Sequence, residues 1–193
     1  SDEIGYKLLK FYLAGEDHFR KDTKAQYLQL LTDFYFIYYV NKTVRLHRQL
    51  VPECPVYYYI LNFAGEWVVP EFYQWFNSMG HSAEVPFIFR IKLPDSPACT
   101  GSRDSLTTRD RVVRMWTNFA KYGNPTPDED DPLLQITWDP VETPDKLNYL
   151  HIGAELTKGR NPFRERMAFW DDLHKEHTFL RASVFFTDLG INW

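Results

Sequence analysis

The sequence is poor in cysteine, since Cys54 and Cys99 are the only two among its 193 residues. Two cysteines are too few for the disulfide framework that stabilises small secreted domains. One bridge between them and two free thiols in a reducing compartment are both compatible with the sequence. Because the glycosylation sequon Asn41-Lys42-Thr43 is only a weak indication of secretion, a cytoplasmic and a secreted location both stay open.

Long apolar runs and blocks of like charge are also missing. No apolar stretch approaches the ~18–20 residues of a membrane-spanning helix, so we expect no transmembrane segment. The formal net charge of −4 gives no reason to expect binding to nucleic acid or to an anionic membrane. The longest acidic run, residues 128–131, lies between Pro127 and Pro132 and is interpreted as a solvated loop tip.

The run from Asp171 to His177 is the pattern that comes nearest to a metal site. It places a carboxylate and His174 one helical turn apart, but a zinc site needs a third and usually a fourth ligand. We therefore interpret the run as a solvated helix end, and we expect neither a metal ion nor another cofactor.

Aromatic residues, in contrast, are abundant: 15 Phe, 12 Tyr and 6 Trp are ample for a buried core. Helical spacing of apolar residues predicts helices over residues 4–13 and 25–50, a helix that is capped near Thr107 and ended by Gly123, and a last helix over 163–174. The long helix is expected to break near Thr32-Asp33, because aspartate favours helix caps over helix interiors.

Two segments are predicted to be strands. Residues 56–63 are β-branched and aromatic without a charge, which predicts a strand buried on both faces. Residues 147–152 form the second strand and end at Gly153. Two strands do not make a stable sheet without further strands or helical cover, and the first strand is too apolar for a sheet edge. We therefore infer that the chain is one piece of a larger fold.

The stretch from Gly80 to Phe89 places a histidine between a glycine and an apolar, aromatic run. Gly80 allows the backbone to turn, and residues 85–89 would anchor the loop with His81 at its mouth. One interpretation is an ordinary surface histidine between a turn and a core segment. The other is functional, because a buried strand followed by a loop with a histidine is how α/β enzymes present catalytic residues.

A resemblance to a known family favours the functional interpretation. Residues 113–125, VRMWTNFAKYGNP, are similar to a signature of the type-B carboxylesterases, the family that includes the cholinesterases. Weaker similarity at residues 55–59, 138–140, 148–150 and 166–170 extends the resemblance over nearly the whole chain. Within the family, the insect α-esterases are the group that the chain resembles most.

The resemblance implies an α/β fold class. The chain would be the C-terminal part of an α/β-hydrolase fold, consisting of the last core strands and their packing helices and incomplete on its own. Residues 1–193 would form the C-terminal segment of a single carboxylesterase domain, with a tail over 179–193 whose structure no pattern predicts.

The resemblance also implies a Ser-His-Glu/Asp triad in which His81 is the catalytic histidine. Glu84 fits the family pattern three residues later, but we interpret it as structural, because it would more naturally bond its own loop. The family's glycine usually precedes the histidine by about three residues, whereas Gly80 is adjacent, so the loop is expected to be offset. Trp67, Phe34 and Tyr35 would contribute to substrate binding.

The sequence contains no Gly-x-Ser-x-Gly nucleophile elbow and no glycine-rich oxyanion loop. In the family both lie upstream, as does the triad acid. The resemblance therefore implies that this chain needs the upstream, N-terminal portion of the same esterase as a partner and is inactive alone, and that the substrate is a small hydrophobic ester. The alternative is a non-catalytic cholinesterase-like adhesion or binding module, since the same fold serves adhesion proteins that have lost the triad.

Overall fold

The computed structural model describes residues 2–14, 21–63, 65, 80–89 and 101–177. The helices are α1 (Asp2–Tyr12), α2 (Lys24–Thr32), α3 (Tyr38–Leu50), α4 (Val85–Ile88), α5 (Arg103–Tyr122) and α6 (Arg164–Glu176), and the strands are β1 (Tyr58–Leu61), β2 (Asn148–Ile152) and β3 (Leu156–Arg160). The chain divides into two compact units, residues 1–46 with 163–193 and residues 47–162. Within the described ranges, no helix is long and apolar enough to cross a membrane.

The unit of residues 47–162 contains a mixed sheet with the strand order β1-β2-β3. β1 and β2 are parallel, whereas β2 and β3 are antiparallel, and Tyr149 of β2 pairs with Gly159 of β3. A Cβ atom on Gly159 would lie 2.4 Å from the Tyr149 ring. The ring therefore lies over the backbone of β3, and a side chain at position 159 would force the Tyr149 ring to move.

The sheet differs from the prediction in two respects. β1 covers four residues of the predicted eight, and burial on both faces is wrong for the face that carries Tyr59, whose side chain is 37% exposed. β3 was not predicted, because Lys158, Gly159 and Arg160 lack the apolar alternation that indicates a strand. Pairing with β2 brings this polar segment into the sheet.

α5 packs against the sheet and forms the core of this unit. Members of the core that are at most 5% exposed are Phe87, Val112, Met115, Leu134, Trp138, Leu150 and Ile152. The helix begins at Arg103, four residues before the predicted Thr107, because the Ser102 hydroxyl accepts a hydrogen bond from the Ser105 amide at 3.3 Å and caps it. The predicted end at Gly123 is confirmed, since Gly123 has a φ of +66°, a left-handed conformation that favours glycine.

The other unit has its core between α1, the α2–α3 helix and α6. Its most buried apolar residues are Tyr12, Leu13, Tyr38, Met167, Trp170 and Leu173. Asp33 lies among them, fully buried. Its carboxylate accepts a hydrogen bond from the Tyr12 hydroxyl at 2.7 Å and lies 3.3 Å from Nε of Arg166, while Trp170 donates to the same hydroxyl at 2.7 Å.

This buried network explains why the predicted helix break at Thr32-Asp33 is wrong. The backbone of Asp33 is helical, and the π-helical segment Asp33–Ile37 joins α2 to α3 without interruption. Aspartate favours caps because its carboxylate competes for local backbone donors. Here Tyr12 and Arg166 pair with the Oδ2 atom of the carboxylate instead, and the helix continues.

The expectation of a solvated helix end at residues 171–177 is wrong for two of its residues. Asp171 accepts hydrogen bonds from Arg45 at 2.6 Å and from the Tyr38 hydroxyl at 3.3 Å. The His174 ring is 8% exposed and stacks on the Tyr38 ring at a centroid distance of 4.6 Å. Both side chains therefore contribute to packing between α3 and α6.

Replacement of Gly159 by alanine tests the register of the sheet. The new Cβ collides with the Tyr149 ring, so we expect Gly159→Ala to lower the free energy of unfolding by roughly 1–3 kcal/mol. Gly80→Ala is the matched control, because no atom lies within 4 Å of a Cβ there. Chemical denaturation measures both variants, and equal stability of the two would contradict the proposed contact. Adding Tyr149→Ala should remove the collision.

Replacement of Arg166 by methionine tests the buried carboxylate. Burial raises the pKa of Asp33, whereas the Tyr12 hydrogen bond and the Arg166 charge oppose the rise. A raised carboxyl pKa stabilises the folded state below the unfolded-state pKa, and this stability is lost as the pH rises through the folded-state pKa. Without Arg166 the pKa rises further.

We therefore expect Arg166→Met to cost about 3–5 kcal/mol at neutral pH and distinctly less in acid, where Asp33 is protonated. The control is Arg164→Met, at an exposed position of the same helix. Thermal or denaturant unfolding at several pH values measures the effect, and a loss of stability independent of pH would show that Arg166 acts through packing alone.

Candidate catalytic histidine site

His81 lies in a hydrogen-bonded turn that leads directly into α4. The amide of Ala83 donates to the Gly80 carbonyl at 3.2 Å, and the amide of Val85 donates to the Ser82 carbonyl at 3.2 Å. Ser82 has a φ of +66°, a left-handed conformation that a serine adopts only at a cost. The backbone on both sides of His81 is therefore fixed in a tight, locally strained turn.

Burial of neighbouring side chains holds this turn on the protein while His81 itself is exposed. Ala83 is 7% exposed and Phe87 only 1%. The Phe87 ring belongs to the core and lies 6.1 Å from the Phe63 ring, edge to face. Of residues 85–89, which were predicted to anchor the loop, Phe87 is buried within the helical turn Val85–Ile88, whereas Phe89 is 65% exposed.

Gly65 lies next to the Phe87 ring that anchors the turn. Its φ is +59°, and a Cβ on it would lie 3.1 Å from Oγ of Ser105 and 3.3 Å from the Phe87 ring. Residue 65 thus lies close to both the start of α5 and the anchor of α4, and its positive φ favours a residue without a side chain.

Glu84 faces β1. Burial raises the pKa of the Tyr59 hydroxyl, and the negative charge of Glu84 raises it further. The charge carried by the His81 turn thus acts on a side chain of β1.

The other predicted site residues belong to different parts of the chain. Phe34 packs against Trp170 at a ring distance of 5.9 Å and Tyr35 is 62% exposed; both belong to the unit of residues 1–46 and 163–193, whereas His81 belongs to the other unit. Trp67 lies outside the described residues, as do Cys99 and the tail over 179–193. Phe34 thus has an observed role in packing, and its role in substrate binding stays a prediction.

Sequence reasoning missed an open cavity beside β1. Its volume is about 220 Å³, and we name it the aromatic groove after the rings that line it, which are those of Tyr57, Tyr59, Trp116, Phe119 and Trp138. The sequence patterns place Tyr57 and Tyr59 in a strand, Trp116 and Phe119 on one face of a helix, and Trp138 in a loop. A signal was present, because apolar residues at 113, 116, 119 and 122 recur every third position and extend the stripe of α5 towards solvent.

Three residues of the types that bind metal ions lie close together in the unit of residues 1–46 and 163–193. Glu3, Glu176 and His177 each have a ligand atom within 4.8 Å of the others. The ammonium group of Lys7 pairs with Glu3 at 3.1 Å and donates a hydrogen bond to Glu176. Because the ammonium group of Lys7 pairs with both carboxylates, we interpret the cluster as an ion-pair network between α1 and α6.

The fold is that of the α/β-hydrolases. The crystal structure of a carboxylesterase from Geobacillus stearothermophilus superposes on this chain with a TM-score of 0.61 at 19% sequence identity, covering 85% of this chain and 31% of that chain. The predicted fold class is thereby confirmed: the helices and the small mixed sheet are part of an α/β-hydrolase fold.

Sequence comparison leads from the fold to the family. A profile of the carboxylesterase family matches residues 1–170, and the chain therefore belongs to the carboxylesterase family. Acetylcholinesterase 1 of Caenorhabditis elegans is 28% identical over 148 residues, covering 74% of this chain. Human neuroligin-2 is 27% identical over 170 residues (79% of this chain), and rat acylcarnitine hydrolase is 25% identical over 171 residues (87%). The chain spans only 23%, 20% and 28% of these three relatives, respectively.

A pair of phenylalanines in and after α4 tests how the turn is held. Phe87 is 1% exposed, whereas Phe89, two residues later, is 65% exposed. We expect Phe87→Ala to cost roughly 3–5 kcal/mol of unfolding free energy and Phe89→Ala less than about 0.5 kcal/mol. Denaturant unfolding measures both, and hydrogen exchange at the Ala83 and Val85 amides should accelerate only in Phe87→Ala. Unchanged exchange there would mean that the turn does not depend on the Phe87 ring.

Proposed function

We propose that this chain supplies the catalytic histidine, His81, of a serine carboxylesterase that cleaves carboxylic esters through an acyl-enzyme. The observation that carries the proposal is an exposed histidine on a rigid turn that the core anchors through Phe87, in a chain of the carboxylesterase family. A general base must be held firmly and still reach the substrate, and this arrangement meets both conditions.

In the proposed reaction, His81 accepts the proton of a nucleophilic serine as the serine attacks the ester carbonyl, and returns it to the leaving alcohol. A carboxylate hydrogen-bonded to the other imidazole nitrogen would fix the tautomer and the ring orientation, and backbone amides would stabilise the oxyanion. His81 would then activate water to release the acid from the acyl-enzyme.

The serine, the oxyanion loop and the triad acid would come from the upstream portion of the same esterase, since the chain has no nucleophile elbow. The 193 residues would accordingly form the C-terminal segment of one carboxylesterase domain and be inactive alone. We further propose small hydrophobic esters as substrates, with Trp67, Phe34 and Tyr35 near the acyl or alcohol group, and a detoxifying role of the kind served by insect α-esterases.

The alternative is a non-catalytic adhesion or binding module of the same family. The match to neuroligin-2, at nearly the same identity as the match to the acetylcholinesterase, is the observation that favours it. The two functions differ in one requirement: only the esterase needs the imidazole of His81.

Turnover of a p-nitrophenyl ester by the polypeptide that joins this chain to its upstream portion tests the proposal. We expect His81→Ala to lower kcat by roughly 10⁴-fold or more, as removal of a triad histidine does, because no other group then takes the serine proton. His47→Ala is the control, since His47 is also exposed but lies on α3, and should retain activity.

Full turnover in His81→Ala would show that His81 is not the base. A well-folded parent polypeptide without any esterase activity would instead support the binding module.

A further inference from the structure

A cavity of about 650 Å³ lies within the unit of residues 1–46 and 163–193. Side chains of α1, α2 and α6 line it, and we name it the α1–α6 cavity. Those that the argument uses are Lys7, Lys10, Phe11, Glu165, Arg166 and Phe169. Its volume falls within the roughly 300–1,000 Å³ of pockets that hold small-molecule ligands, so its size admits a small organic molecule.

The guanidinium group of Arg166 is held in place from two sides. Its Nε atom lies 3.3 Å from the buried carboxylate of Asp33. Its Cζ atom lies over the Phe163 ring, 4.1 Å from the ring centre, where the positive charge interacts favourably with the aromatic face. The Arg166 side chain is accordingly only 16% exposed, and its orientation is fixed before any ligand arrives.

The remaining donors of this guanidinium group face the cavity. The two terminal nitrogens of Arg166 have no acceptor in the part of the chain that the structure describes. They are not buried, and Arg166 lines the cavity. A guanidinium fork of this kind binds the two oxygens of a carboxylate with parallel hydrogen bonds. Because the fork is already oriented, binding does not have to order it.

The charges around the cavity favour an anion. Three cations line it, Lys7, Lys10 and Arg166, against the single carboxylate of Glu165. Lys7 pairs with two carboxylates of the unit, whereas Lys10 is exposed and has no counter-charge among the described residues. Since Glu165 would repel a second negative charge, the cavity is better suited to a monoanion than to a dianion such as phosphate.

An aromatic pair supplies an apolar wall. The rings of Phe11 and Phe169 stack at a centroid distance of 4.0 Å with an angle of 9° between their planes. Both residues line the cavity and are half-buried. Aromatic rings beside a few oriented polar groups are typical of ligand pockets, so a ligand here would be anionic at one end and apolar at the other.

We propose that the α1–α6 cavity binds a small monocarboxylate with an apolar body. The carboxylate pairs with Arg166 and Lys10, and the apolar body packs against Phe11 and Phe169. His81 belongs to the other unit of the chain, and the proposal does not require His81 to be catalytic.

Calorimetric titration of 3-phenylpropionate into the polypeptide that joins this chain to its upstream portion tests the site. A serine-reactive fluorophosphonate is added first, so that a catalytic pocket does not contribute. We expect 3-phenylpropionate to bind at least about 10-fold more tightly than neutral 3-phenylpropanol or inorganic phosphate, because a charged hydrogen bond is worth about 1.5–3 kcal/mol.

Variants assign the binding to the cavity. Arg166→Lys keeps a positive charge beside Asp33 but removes the fork, and we expect it to weaken binding at least about 10-fold. Lys10→Gln, at an exposed position, should weaken binding about 3-fold or more. Lys121→Gln is the control, since Lys121 is an exposed lysine of α5, and its affinity should equal that of the parent. Thermal unfolding verifies that each variant is folded.

Four results would overturn the proposal. Equal affinity for the acid and the alcohol would mean that no cation recognises the ligand, and equal affinity for phosphate would mean a general anion site. Unchanged affinity in the folded variants at positions 10 and 166 would place the acid elsewhere, and Lys10→Gln alone decides this if Arg166→Lys does not fold. No binding at millimolar concentration would mean that the cavity holds no such ligand. Turnover that survives His81→Ala would overturn only the proposed function, so the two failures are distinguishable.

Discussion

Burial of the Phe87 ring is the contact on which the candidate site depends. An exposed imidazole has little packing of its own to hold it, and catalysis loses rate steeply when a base is misplaced by about 1 Å. The turn solves this conflict by placing the buried ring six residues after His81, with i to i+3 hydrogen bonds between them. The Phe87 ring thus fixes the position of the turn, and the proposed proton transfer belongs to the His81 imidazole.

The buried carboxylate of Asp33 has the corresponding place in the other unit. A buried ion pair adds little net stability, but removal of one partner leaves an uncompensated charge and is costly. Asp33 therefore specifies how α1 and α6 pack against its helix more than it adds to the free energy of unfolding. Tyr12 of α1 and Arg166 of α6 must both reach the same carboxylate. The helix passes through a π-helical segment at this point, an irregularity that proteins retain where a side chain must be directed to a particular partner.

Local patterns in the sequence predicted the elements whose signals are local. The apolar periodicity of α1 and α6, the apolar run of β1 and the terminal Gly123 all depend on neighbours within a few residues. The features that the sequence did not predict depend on partners that are distant along the chain. The polar segment β3 is a strand because β2 pairs with it. Asp131 was expected in a solvated loop tip but is only 5% exposed. Its carboxylate accepts hydrogen bonds from the amides of Leu133 and Leu134 and pairs with Arg114. The sequon residue Asn41 is likewise 3% exposed within α3, which disfavours its glycosylation.

The candidate site shows the same division. A histidine after a glycine and before an apolar run was visible in the sequence, but the anchoring of its turn was not, because it depends on the packing of the Phe87 ring against the Phe63 ring. Ring packing between two segments that are distant in the sequence therefore holds the His81 turn beside the end of β1.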